Sequence, residues 1–316
     1  MEKLIVSSSP HIRSSVTTSR LMGDVLIALA PATIAAVVLF GLPAFVIIFA
    51  CVATAVLTEY LFNLITKKKQ TIEDLSAVVT GLLLALNIHA DVPVWQCVIG
   101  SVFAILVVKC LFGGLGCNFA NPAITGRVFM LIAFSETAGG TLPIVGENLV
   151  AGATPLESIA KIIKGGSAAL PPLKDMFLGL RGGAMGETCA IALLLGFVYL
   201  VARRVIDWYV PVTFIGTVYI FSLFVTGDTL FALYEILSGG LLIGAIFMAT
   251  DYVTGPINKL GRVVFAFGCG LITSLIRFYG AYPEGVSFAI LFMNILSPYI
   301  EKWTAKRPLG GAKNDG

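Results

Sequence analysis

Apolar residues run through this chain in long stretches rather than in alternation, and short polar breaks separate the stretches. Ten such segments can be drawn, at approximately residues 22–40, 44–65, 75–88, 95–112, 119–135, 187–202, 208–226, 229–248, 263–280 and 286–301. Each predicts a helix, roughly 17–25 residues where it crosses a bilayer and shorter where it is broken. The third is short, which predicts a helix that stops partway or leans on protein rather than lipid. Gly113-Gly114-Leu115-Gly116 breaks the chain before the fifth segment, and Gly255-Pro256 breaks it after the eighth. Continuous apolar runs argue against a barrel, whose strands alternate. The expected fold is an all-α polytopic membrane protein with about ten transmembrane helices, because only helices or closed barrels satisfy the backbone in lipid.

The polar breaks divide the chain into five parts. These are a segment at 1–21, a first five-helix half at 22–135, a loop at 136–186, a second five-helix half at 187–301 and a tail at 302–316. Orientation follows from lysine and arginine. With a cytoplasmic N-terminus, the inner segments hold 14 of them, among them Lys67, Lys68, Lys69, Arg203, Arg204, Lys259 and Arg262. The outer segments hold 4, namely Lys161, Lys164, Lys174 and Arg181, all in the 136–186 loop. Both termini are therefore expected inside and the loop outside. An odd number of helices per half means that any repeat is inverted across the membrane. Gly81 to Asn87 followed by Pro93 parallels Gly244 to Asp251 followed by Pro256, and Phe112-Gly113-Gly114 parallels Phe278-Tyr279-Gly280.

Composition agrees with this class. The chain is 57% hydrophobic and 12% charged, against about 25% charged in a soluble domain, and its mean hydropathy is +0.94. The net charge of +3 reflects loop residues and does not predict a nucleic-acid surface. Met1 to Arg20 is polar and rich in Ser and Thr, without the apolar core of a cleavable signal peptide. The six cysteines contain no CxxC pair and read as small buried hydrophobes. Cys110 and Cys117, which flank the glycine-rich turn, are the pair to consider for metal or redox chemistry.

Polar residues inside apolar segments are functional candidates by default. Asp24 and Glu59 lie near or inside the first two helices. Asn118, Asn121, Pro122 and Arg127 form a polar cluster where the fifth helix begins, and an Asn-Pro start offers free backbone groups and a side-chain amide to a ligand. Arg181-Gly182-Gly183-Ala184-Met185-Gly186 leads into Glu187 and Thr188. That glycine-rich turn can hold an anion or simply cap a helix. Asp251, in Thr250-Asp251-Tyr252, can bind a cation, orient a ligand or sit in a solvated turn. In the outer loop, Thr154-Pro155-Leu156-Glu157 reads as a helix start, with Thr154 as N-cap, Pro155 at the first position and Glu157 completing a capping box. Leu156, Ile159, Ile162 and Ile163 then share one face of a short amphipathic helix.

Gly152-Ala153-Thr154, preceded by the small Ala151, also resembles the acceptor site at which a flavin transferase esterifies a threonine with the phosphate of FMN. A phosphodiester there faces unpaired N–H groups and the positive end of a helix dipole. Together with Ser9-Pro10-His11-Ile12-Arg13, Asn121-Pro122-Ala123 to Arg127, Gly186-Glu187-Thr188 and Ala249-Thr250-Asp251, this motif makes the chain resemble the D subunit of Rnf complexes. That family is related to the B subunit of the sodium-pumping NADH:quinone reductase. The resemblance implies FMN attached at Thr154, a second, non-covalent riboflavin-type flavin in the membrane domain, and a place in the bacterial cytoplasmic (inner) membrane. It also implies other membrane and peripheral subunits, coupling electron transfer between ferredoxin and NAD to movement of sodium ions or protons, with no complete activity in this chain alone. The fifth-helix cluster and the end of the eighth helix are expected to meet in a common polar region, with Asn121, Arg127 and Asp251 as candidates for the second flavin. Arg181, Glu187 and Thr188 are further cofactor candidates. Two rivals remain: an inverted-repeat channel or transporter for a small solute, and a structural scaffold for other subunits.

Overall fold

A computed structural model describes residues 17–134, 154–280 and 284–305. The N-terminal Ser9–Arg13 motif, the start of the outer loop with Gly152 and Ala153, and most of the tail lie outside the described residues. What is described is helical, without strands. The first half holds α1 (Thr18–Phe40), α2 (Leu42–Ile65), α3 (Ser76–Leu86), α4 (Val94–Cys110) and α5 (Pro122–Ala133). Two short helices follow, α6 (Pro155–Ile163) and α7 (Leu173–Leu178). The second half holds α8 (Ala190–Ala202), α9 (Tyr209–Thr226), α10 (Thr229–Leu237), α11 (Leu241–Met248), α12 (Lys259–Tyr279) and α13 (Val286–Thr304). Every apolar segment of the sequence thus falls on a helix or, for the eighth, on a pair of helices.

The α1, α2, α9 and α12 helices are each long and apolar enough to cross a membrane, and α10 with α11 makes a fifth crossing if that bent pair counts as one. Their outer faces carry bare apolar side chains such as Val38, Phe49, Ile220 and Phe224. Water would penalise so continuous an apolar belt, and lipid accepts it. The chain is a multi-pass membrane protein.

The short third segment behaves as its length predicts. With 11 residues, α3 spans only about 16 Å at 1.5 Å per residue, half a hydrocarbon core. Nearly all of it is buried against protein. At Gly81 an added Cβ would stand 2.8 Å from the Val52 Cα and 2.9 Å from the Cys51 carbonyl oxygen, so α3 lies backbone to backbone on α2. Gly270 does the same for α12, where a Cβ would stand 2.9 Å from the Phe214 oxygen of α9. Such close approach through small residues is how helices gain packing energy where no hydrophobic drive separates them from lipid.

One expectation is corrected. The apolar run at 229–248 is not a single helix ending at Gly255-Pro256. It breaks within itself at Ser238-Gly239-Gly240, and α10 meets α11 at 68°. Gly239 has φ +65°, a left-handed conformation that glycine adopts without penalty. The far ends of α4 (Phe103–Cys110) and α11 (Gly244–Met248) are wound as π turns, which recur at functional sites.

The outer-loop helix forms where the cap signal places it. Thr154 Oγ1 accepts from the Glu157 N–H at 3.2 Å, Pro155 occupies the first turn, and Leu156 and Ile159 are buried. Ile162 and Ile163 pack beside them. This face rests on α12.

Candidate functional site

Following the chain through the helices, α1, α3, α5, α9 and α12 start at one end, where Lys67, Arg203, Arg204, Lys259 and Arg262 also gather. We call this the basic end. It contains a partly open cavity between the two halves, lined by residues of α1, α3, α4, α5, α8 and α11 with the turn after it. Asn121 caps α5 by accepting from the N–H groups of Ala123 (3.0 Å) and Ile124 (3.4 Å), and its amide donates to the Met248 carbonyl of α11 at 3.4 Å. One side chain therefore ends a half-helix in the first half and ties it to the broken helix of the second. The positive end of α5 faces the cavity. Asp251 lines the same cavity and accepts from the Val253 N–H at 3.2 Å and the Thr254 hydroxyl at 3.0 Å. Desolvation raises its carboxyl above the ordinary aspartate value, and those two hydrogen bonds pull the other way. A second, partly open cavity shares Asp251 and is lined by the Arg262–Asp207 ion pair.

Beside the first cavity lies an ion pair that the polar pattern did not reveal. Lys109 Nζ is 2.9 Å from both Glu59 oxygens and 2.6 Å from Ser76 Oγ, with both charged side chains 2% exposed. Glu59 also accepts from Thr71, which accepts from Asn63. All three ammonium donors are satisfied, as a buried charge requires. Cys110 is buried and Cys117 exposed, and both are free thiols.

The opposite end holds a second polar region, built around the α10–α11 break. A broken helix leaves carbonyls without partners, and arginines supply them. Arg277 Nη1 donates to Glu235 O (2.6 Å) and to the Glu235 carboxylate (2.7 Å), and Nη2 donates to Ser238 O (2.9 Å). Arg181 Nη2 donates to Leu237 O (2.5 Å) and Glu187 O (2.8 Å), and Nε donates to Thr188 O (3.4 Å). Two guanidinium groups thus sit on the negative end of α10. The glycine-rich turn lies against the end of α3, where Gly186 N donates to Leu86 O at 2.7 Å. Its arginine faces inward on carbonyls, and Thr188 Oγ1 donates to Met185 O.

Arg127 belongs to this region and not to the cavity of Asn121 and Asp251. It sits nearly two turns along α5, donates to Asn87 Oδ1 at 2.6 Å and forms an ion pair with Glu284. The candidates therefore divide into three groups. Asn121 and Asp251 share the basic-end cavity. Arg127 pairs with Glu284, while Arg181, Glu187 and Thr188 form the turn that closes on α10. Thr154 begins α6, whose Leu156 reaches Gly239 at the break. Glu284, Glu235 and the Gly239-Gly240 break were not singled out from the sequence. The only signal was the Ser-Gly-Gly triplet inside an apolar run, since each charged partner lies far along the chain.

Comparison with known proteins gives the lineage. The D subunit of the Na(+)-translocating ferredoxin:NAD(+) oxidoreductase complex of Acetobacterium woodii is 45% identical over 312 residues, covering 98% of this chain and 96% of that protein. The D subunit of the proton-translocating ferredoxin:NAD(+) oxidoreductase complex of Clostridium ljungdahlii is 42% identical over 315 residues, covering 95% and 94%. The D subunit of the ion-translocating oxidoreductase complex of Stutzerimonas stutzeri is 39% identical over 339 residues, covering 95% and 93%. The NQR2, RnfD, RnfE family matches residues 5–310, and with relatives this similar over nearly their whole length, the chain belongs to that family as an Rnf-type D subunit.

Proposed function

We propose that this chain is the membrane electron-transfer subunit of an ion-translocating ferredoxin:NAD oxidoreductase complex, with FMN esterified to Thr154 and electron flow coupled to transport of sodium ions or protons. The observation that carries the reading is Thr154 itself. In a chain 45% identical to the D subunit of a ferredoxin:NAD(+) oxidoreductase complex, it stands at the N-cap of a nine-residue helix anchored on α12. Its hydroxyl oxygen already accepts from the Glu157 N–H. A phosphoester oxygen keeps that accepting role, and the phosphate gains the Leu156 N–H and the dipole of the helix start. The residues present therefore fit the group. When bound, flavin supplies the electron-carrying chemistry that the side chains do not.

The cavity at Asn121 and Asp251 suits a second, non-covalent flavin of the riboflavin type. It is walled by apolar side chains with a few convergent polar groups, the make-up of ligand pockets. Asn121 and Asp251 are this chain's groups for the polar parts of such a ring.

The ten-helix, inverted-repeat arrangement is supported by the packing. In the first half α2 packs on α3 and α4, and α4 on α5; in the second α9 packs on α10, α11 and α12, and α12 on α13. Across the halves α1 meets α8 and α5 meets α13. In this reading the termini lie in the cytoplasm of a bacterium, α6 lies on the outer face of its inner membrane, and a flavin transferase acts there before or during assembly with the other subunits.

Attachment is tested on the chain co-expressed with a flavin transferase. A denaturing gel viewed under ultraviolet light should show a fluorescent band, lost in Thr154→Ala. Mass spectrometry of the peptide containing Thr154 should show the added mass of FMN less water. An unmodified peptide from that material refutes the attachment.

A further inference from the structure

We infer that the open groove between α13 and the turn at residues 252–257 is where a transmembrane helix of another subunit docks, with a side-chain amide on that helix meeting Asn294 and Asn118. The inference rests on the chain's place in a multi-subunit complex and not on flavin attachment. Three observations carry it.

The first is unmet hydrogen bonding inside the bilayer. Asn294 is 2% exposed and lines the groove, yet neither its Oδ1 nor its Nδ2 has a partner within the protein. Asn118 Oδ1, on the wall that precedes α5, is also buried and unpaired. Pro298, four residues past Asn294 in α13, has no N–H to give the Asn294 carbonyl. About 15 Å of helix separates Asn294 from the end of α13 at Thr304, so the amide lies deep in a hydrocarbon core about 30 Å thick. Lipid offers these groups no partner, and unpaired polar groups there are costly.

The second is the make-up of α13. Its 19 residues are enough to cross a bilayer, yet it falls short of the apolar character that α1, α2, α9 and α12 have. A helix of that length and polarity suits a protein neighbour on the side its own chain leaves open. The groove there has bare apolar lips, Ile295 on α13 and Ile257 on the turn. Gly116, Gly255 and Ser297 also line it, and small residues let a second backbone come close.

The third is complementarity. The groups without partners are three acceptors, the Asn294 and Asn118 Oδ1 atoms and the Asn294 carbonyl, against one donor, Asn294 Nδ2. Glu301 adds a carboxylate nearer the basic end. The complement is therefore rich in N–H and keeps one acceptor. A side-chain carboxamide has two N–H groups and one C=O. It gives hydrogen bonds to the two amide oxygens and accepts one from Nδ2. Bonds of this kind join helices in lipid, and neither an acyl chain nor an apolar helix face supplies them.

The test is made in cells that produce the whole complex. A photoreactive phenylalanine analogue is placed at Ile257, at Ile295 and, as a lipid-facing control, at Phe224, which is 88% exposed on α9. Irradiation should join the first two positions to another membrane subunit, identified by mass spectrometry of the heavier band, and leave the control without that band. No protein adduct at Ile257 and Ile295, adducts with lipid alone, or the same adduct at Phe224 overturn the docking. Asn294→Leu gives an independent readout. It removes two unpaired buried atoms, so the full-length chain alone in detergent should unfold at the wild-type temperature or above it, while the purified complex loses a membrane subunit. A variant complex that keeps all its subunits shows that water satisfies the amide, and overturns the inference. A variant chain that unfolds earlier than wild type gives Asn294 a role inside its own fold, and overturns it too. A wild-type chain that purifies without other subunits overturns the place in a complex itself.

Discussion

Arg277→Met should be among the most damaging single substitutions in this protein, and the structure says why. Arg277 and Glu235 are 1% and 0% exposed at the side chain, so their interaction is not screened by solvent. The guanidinium makes three hydrogen bonds, to the Glu235 carboxylate, the Glu235 carbonyl and the Ser238 carbonyl. Its removal strands a buried carboxylate, a loss of about 3–5 kcal/mol, and two carbonyls at the end of a half-helix, about 1–3 kcal/mol each where nothing replaces the donor. The terms overlap, since they share one guanidinium, so the net loss should be about 4–6 kcal/mol. The double variant Arg277→Met, Glu235→Leu removes the stranded charge and should recover roughly half of that. The built-in assay is the reactivity of buried thiols. Cys51, Cys97, Cys110 and Cys269 are free and buried, so a fluorogenic maleimide reports unfolding as the detergent-solubilised protein is heated. A single variant that melts with wild type, or a double variant no better than the single, refutes the reasoning.

Three further outcomes are expected. Gly81→Ala should destabilise by more than the usual 1–3 kcal/mol of overpacking, because the new methyl meets Val52 and Cys51 backbone, whereas Gly23→Ala, with nothing within 4 Å, should be neutral or stabilising by about 0.5–1 kcal/mol; the same thiol assay compares them. In a Cys117→Ser background, which removes the exposed native thiol, a cysteine at Lys164 should react with a membrane-impermeant reagent in intact cells and one at Lys68 should not; equal labelling overturns the orientation. Because the Asp251 carboxyl titrates above the ordinary aspartate value, its negative charge is present above that raised value and lost as pH falls through it, so non-covalent flavin retained by the purified protein should change across a window above that of an exposed aspartate. Asp251→Asn should flatten the dependence, and an unchanged profile in that variant removes Asp251 from the site.

The local signals of the chain were legible without the fold. Apolar runs longer than any soluble core needs set the helices and the membrane class, because a helix in lipid must satisfy its own backbone and cover it with hydrocarbon. Thr154-Pro155 and Asn121-Pro122 announced two helix starts, because a capping oxygen followed by a residue without an N–H acts within one turn. The shortness of α3 was likewise a property of its own residues. The tertiary structure alone decided the α10–α11 break and the polar regions on either side of it. Hydropathy runs through Ser238-Gly239-Gly240 undisturbed, and the carbonyls exposed there are satisfied by Arg181 and Arg277, 56 and 39 residues away. Arg127 read as a candidate for the cavity of Asn121 because the two are near in sequence. Its carboxylate partner, Glu284, is 157 residues on, and that pairing draws it to the opposite end. Glu59 read as a lone charge in the second helix, and its partner Lys109 lies 50 residues on, so only packing joins them. A charge in an apolar helix declares that it needs a partner, but the partner's identity depends on which helices meet, and that is set by the packing of the whole bundle.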